Sequence, residues 1–259
     1  MKPIFEHPII KSNPFTEWFA RGEADEEQVA DLLMQFSVFS NHFLVVQVKR
    51  MVNAGTLEGE ACARNILLNE CGVALDAQGC AEGRRFSAAN AHISWLRESG
   101  AALGLDPAQM GRWENGWEST RRFLDGLDRS FGSRDGNVGA GASFAVESWA
   151  SFGIGAGPEL ESRNFWKQLI AGLEKFNAGR HRPVPMGFFK FHFEVEAGHG
   201  ANVQKELEEI RLKPGFDERK FLRGAKLALD SVKLFWEGLD QARRRPAALA
   251  GVNVAQWAL

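Results

Sequence analysis

The chain has 259 residues, 25% charged and 44% hydrophobic, a composition ordinary for a soluble globular protein with a sizeable core. Its net charge of −2 leaves no electrostatic footprint for nucleic acid or an anionic membrane surface. Three cysteines (Cys62, Cys71 and Cys80) form no C-x-x-C pair, and an odd count argues against a disulfide scaffold. The first residues lack a signal-peptide apolar region, and no apolar run approaches ~18 residues, so a cytoplasmic protein without a membrane span is expected. Tyrosine is absent, against 20 Phe and 8 Trp.

Asn13-Pro14 reads as N-cap plus first helical position, opening a short helix through Phe19. From about Glu26 to Asn53 the apolar residues Leu32, Phe36, Phe39, Phe43, Val46 and Val52 recur every three to four positions, predicting a long helix. A third helix runs from about Glu58 to Cys71 and stops at Gly72. Residues 73–86 show no clear period and predict a loop. A fourth helix begins near Ser87 and passes through His92 to Leu103. Asp106-Pro107 predicts a further start, with a helix to about Phe131. Residues 132–139 predict a turn.

Small residues from Ala140 to about Ile154 predict a helix that neighbours can approach closely. Helices follow over about Glu161–Phe176, from the loop at Pro185 to just before Pro214, and over Glu218 to about Gln241. Eight to ten helical segments with short connections and no repeat predict a helical bundle. It is expected as one domain over residues 1–259, with 242–259 a C-terminal tail.

The most informative stretch is Phe188 to Gly200. His192, Glu196 and His199 stand at i, i+4 and i+7, within about 60° of one another on a helix. That spacing offers two or three ligands to one metal ion. The surrounding residues are apolar, so a carboxylate here sits on a solvated edge or is paired with something positive. Three more residues stand out. Glu147 is the lone charge in an apolar helix, and a lone buried Glu is costly unless paired. Glu70 closes its helix, where an anion is disfavoured. His92 shares a helix face with Trp95 and Leu96. His42, Trp149 and Phe193 are candidate pocket walls. Glu194 and His181 read as surface residues, and Lys167 as a snorkelling surface lysine.

These residues, in this order, resemble the haem-oxygenase-like di-iron oxidases and oxygenases, in the superfamily that includes TenA-, PqqC- and CADD-like proteins. The resembling stretches are Leu68–Gly72, His92–Arg97, Ala145–Trp149, Phe165–Leu169 and Phe189–Gly200, and the likeness spans roughly residues 15–240. It implies an all-α bundle of about seven core helices plus short accessory helices. It implies that Glu70, His92, Glu147, His192, Glu196 and His199 hold two Fe(II) ions, or Mn(II), a donor set that suits such metals. It further implies O2 as co-substrate, an external electron donor, a homodimer, and a small amino-acid-like or fatty-acid-like substrate that is N-oxygenated, desaturated or cleaved at a C–C bond. Glu196 stands where an aspartate is more usual. Without tyrosine, the chain cannot follow members that consume their own tyrosine.

Two alternatives stay open at this point. One is a metal-free TenA-like or PqqC-like enzyme of cofactor metabolism, the former needing a pocket cysteine. The other is a non-catalytic helical binding protein, which would expose the acids or pair them with Arg and Lys.

Overall fold

A computed structural model of the chain describes residues 2–75 and 81–245, without the side chains of residues 74, 75, 81–86, 197–199, 201 and 202. Three short helices come first: α1 (Lys2–Phe5), α2 (Pro8–Lys11) and α3 (Pro14–Phe19). The Asn13 side chain accepts from Thr16 N and caps α3. His7 caps α2 and reaches Asp230 with its other ring nitrogen, at 3.1 Å.

The long helix α4 (Glu26–Val52) starts at a capping box formed by Asp25 and Gln28. By length and composition alone it could cross a membrane. Yet it packs as a core helix against α5 (Leu57–Glu70), α6 (His92–Ala101) and α7 (Glu118–Phe131).

The remaining helices are α8 (Gly136–Ala150), α9 (Pro158–Glu161), α10 (Phe165–Asn177), α11 (Gly187–Arg211) and α12 (Glu218–Arg243). The most extensive helix pair is α8 with α12. Glycines set that approach. A Cβ on Gly141 would fall 1.9 Å from the Phe221 carbonyl oxygen, and one on Gly224 would fall 2.0 Å from that of Val138. The small residues of α8 thus serve close packing, as the sequence suggested. One aromatic-rich core runs through the bundle, with Phe36 in ring contact with Trp166, Phe188, Phe235 and Trp236.

Three sequence expectations are corrected. Residues 73–86 are not simply a loop: β1 (Val73–Leu75) and β2 (Ala81–Phe86) pair antiparallel, with Val73 opposite Phe86. No helix starts at Asp106-Pro107. Asp106 does cap the Ala108 N–H, but Gly111 turns the chain at φ +81°, and Gly111 N bonds Ser37 Oγ while its carbonyl accepts from Asn41. Those bonds to α4 override the local signal, and α7 begins only at Glu118. Finally, α8 begins inside the glycine-rich stretch expected to turn, because Asp135 accepts from Asn137 N and caps it.

A polar pair is buried between α4 and α11. Arg50 (2% exposed) donates to Glu206 (5% exposed). Burial raises the Glu206 carboxyl above its ordinary value, although Arg50 pulls the other way.

Candidate metal centre

Glu70 is the last residue of α5 and His92 the first of α6. What joins them is Gly72. It adopts φ +85°, and a Cβ there would lie 2.6 Å from Ala91 N and 2.8 Å from the Ser87 carbonyl oxygen. Only glycine lets the end of α5 press against the start of α6 in this way. From the opposite side α11 brings His192. One ligand atom from each of Glu70, His92 and His192 lies within 4.8 Å of the others. His92 Nδ1 is 2.9 Å from Glu70 Oε2, and His192 Nε2 is 3.6 Å from Glu70 Oε1.

The group is buried, with His92 at 1% exposure and His192 at 5%. His192 Nδ1 lies 2.7 Å from the Phe188 carbonyl, to which it donates. That bond fixes the ring orientation and turns Nε2 toward Glu70. His92 Nε2 has no hydrogen-bond partner among the described residues, and its Nδ1 meets Glu70 without hydrogen-bond alignment. Burial opposes charge on Glu70. The His92 charge and the contacts with both imidazoles outweigh it and hold the carboxyl below its ordinary range. An anionic carboxylate beside two imidazoles, each a metal ligand once it is neutral, fits a divalent transition metal.

A cavity opens beside Glu70 and His192. Glu70, His192, Glu147 and Glu196 line it together with Phe36, Phe188 and other aromatic side chains. Glu147 projects from α8 and Glu196 from α11, one turn beyond His192, and both are buried. Both stand outside the three-residue cluster. His199 lies on α11, but its side chain is outside the described residues.

Of the expected pocket walls, Trp149 lines the cavity. Its ring stacks on Phe165, with centroids 4.2 Å apart and 1° between the planes. His42 and Phe193 are not among the lining residues. The His42 ring packs on Trp113 instead, with burial lowering its pKa. Phe193 sits under the ammonium of Lys167, which also pairs with Glu161 at 2.6 Å.

Two crystal structures share this architecture. One is a domain of unknown function with a heme oxygenase-like fold from Shewanella denitrificans. It aligns at TM-score 0.63 and 14% identity, over 97% of this chain and 92% of that one. The other is a CADD-like protein of unknown function from Nostoc punctiforme, at TM-score 0.59 and 17% identity, over 92% and 89%. This chain has the haem-oxygenase-like fold. No protein-family model and no curated protein matches it.

In this haem-oxygenase-like bundle, Trp166 and Ser40 are among the lining residues that the sequence reading did not single out. Trp166 stacks on His192, with centroids 4.7 Å apart and 23° between planes, and Ser40 places a hydroxyl among phenylalanines. A signal for Trp166 existed. Asn164 caps α10 through Trp166 N and Lys167 N, which puts Phe165, Trp166 and Leu169 on its buried face. For Ser40 there was none, since a serine in a helix says nothing of what it faces.

Proposed function

We propose that this protein is a metal-dependent oxidase or oxygenase in which Glu70, His92 and His192 hold one Fe(II) ion. Glu147 and Glu196, with His199, complete a site for a second ion, Mn(II) being the alternative metal. The observation that carries the reading is the Glu70–His92–His192 cluster, of which Glu70 and His192 line a cavity rich in aromatic side chains. Iron bound there supplies reductive activation of O2, with electrons from an external donor.

The protein's own residues do the rest. The Phe188 carbonyl orients His192, and the Glu70 carboxylate stays ionised between two imidazoles. Phe36, Phe39, Phe43 and Phe188 exclude water and hold the apolar part of a small substrate beside the metal. We place the protein in the cytoplasm, as a homodimer.

A thiol-dependent, metal-free reaction in the same fold finds less support. Burial pushes the Cys62 thiol up to about 12, with Glu206 and Glu147 adding to it, and Cys71 is raised by burial and by Glu70. Neither is an activated nucleophile. Cys80 lies outside the described residues.

The test is metal content after anaerobic loading with Fe(II) and desalting. Close to two irons per chain are expected, with at least one lost in His192→Ala and in Glu147→Ala variants that keep wild-type helicity. No retained iron in the wild-type protein, or full retention in both variants, would sink the proposal.

A further inference from the structure

The cavity has a second polar feature besides its carboxylates and imidazole. Trp166 is 4% exposed, and its indole N–H has no hydrogen-bond partner among the described residues. The rings against it are Phe36, Phe165, Phe188 and His192, all of which also line the cavity. None of the three phenylalanine side chains has an acceptor to offer, and the near-parallel stacking turns the in-plane His192 Nε2 away from the indole N–H. A buried donor without a partner is costly, and because Trp166 lines the cavity, a bound molecule is a source of the missing acceptor. Ser40, also buried and lining the same space, brings a second donor.

The charge pattern narrows what can bind. No Lys or Arg lines the cavity among the described residues, whereas Glu70, Glu147 and Glu196 do. A ligand carboxylate or phosphate at the Trp166 end would be buried beside phenylalanines with no cation to compensate it. A neutral acceptor such as a carbonyl, amide or ether oxygen meets the N–H without that penalty. We propose that the cavity binds an uncharged, mainly apolar small molecule through one acceptor oxygen held by the Trp166 indole N–H, with the Ser40 hydroxyl as supporting donor. Because Trp166 lies flat on His192, the anchored oxygen orients the molecule next to that imidazole. The binding site stands on the cavity alone. Only the step that makes its occupant the substrate of the metal site rests on the function proposed above.

The experiment uses the full-length protein, metal-free and Zn(II)-loaded, with isotope-labelled tryptophan. The chain has 8 Trp, so the indole N–H signals are few, and Trp166 is assigned by the signal missing in Trp166→Phe. The probes are acetophenone, ethylbenzene and benzoate, which share an aromatic body and differ in the acceptor and its charge. In the metal-free protein, acetophenone should move the Trp166 indole proton downfield saturably. It should bind about tenfold more tightly than benzoate and lose about tenfold in Trp166→Phe, with a smaller loss in Ser40→Ala. Ethylbenzene, having no acceptor, should bind the variants and the wild type alike.

Acetophenone binding that leaves the Trp166 signal in place would overturn the proposal. So would benzoate binding as tightly as acetophenone without metal, or no binding of acetophenone at all. If Trp166→Phe does not fold, the wild-type signal and Ser40→Ala decide, with assignment from through-space contacts to Phe165. The metal-free measurement is independent of iron retention, so failure here and failure of the metal reading are separate outcomes.

Discussion

Replacing Arg50 by methionine removes the cation from the buried pair with Glu206 and keeps the length of the side chain. Glu206 is then a carboxyl at 5% exposure, already raised by burial, with its charge partner gone. Removing one member of a buried ion pair costs about 3–5 kcal/mol. Arg50 also buries Nε and Nη1 without hydrogen-bond partners among the described residues, and the variant relieves that cost. The expected loss is therefore at the lower end, about 3 kcal/mol, or a fall in Tm of roughly 6–12 °C for a chain of this size.

The loss carries a pH signature. A carboxyl raised in the folded state keeps its proton to higher pH than in the unfolded chain, so stability increases as pH falls. The deficit of Arg50→Met should be largest at neutral pH and shrink toward about pH 4.3, where the unfolded carboxyl also protonates. Adding Glu206→Leu should return stability to within about 1 kcal/mol of wild type, because an apolar pair of similar volume replaces a buried ion pair well. Urea unfolding followed by circular dichroism at pH 5 and pH 7.5 measures all three quantities. A pH-independent loss below about 1 kcal/mol, or a double variant no better than the single one, would refute the reasoning.

Gly72→Ala forces a Cβ to within 2.6 Å of Ala91 N at a left-handed φ, which drives Glu70 away from His92. Zn(II) affinity measured by chelator competition should fall about 10–100-fold, the range seen when a group that positions a ligand is lost. An unchanged affinity would mean that the two residues do not act together. In the metal-free protein Glu70 has a lowered pKa, so its contribution is complete above about pH 4.3 and is lost only as pH falls through the lower folded value. Glu70→Gln should thus be less stable than wild type by about 1–3 kcal/mol at pH 7, and the two unfolding curves should converge only in acid below pH 4. Convergence already at pH 6 would contradict an ionised, histidine-paired Glu70.

The long helices were legible because their apolar residues repeat at helical spacing and their starts carry side-chain caps. The ends of α4, α11 and α12 fall within a residue or two of the expected positions. The start of α7 was not legible, since Ser37 and Asn41 on α4 decide the path of residues 106–117 from 70 or more positions away. The start of α8 was hidden by its glycines, which serve tight packing: Gly136 meets Gly55, where a Cβ would lie 2.9 Å from the backbone. The site divides the same way. Acids and histidines in apolar sequence announced themselves, because burying such groups demands a purpose. Trp166, Ser40 and the displacement of His42 onto Trp113 depend on which helix faces which, and one helix's residue pattern does not carry that.

The β1–β2 hairpin gives the chain a place where length is decoupled from site geometry. Val73 pairs with Phe86 at its base, and Gly72 locks the end of α5 onto the residues just before α6. Both constraints act between the hairpin and the ligands, so residues added between the two strands would not be felt by Glu70 or His92. The entropic cost of such an addition grows slowly, by about 0.6 kcal/mol per doubling of loop length. The strand pair thus offers a position for engineering an inserted peptide or reporter domain while leaving the cavity walls intact.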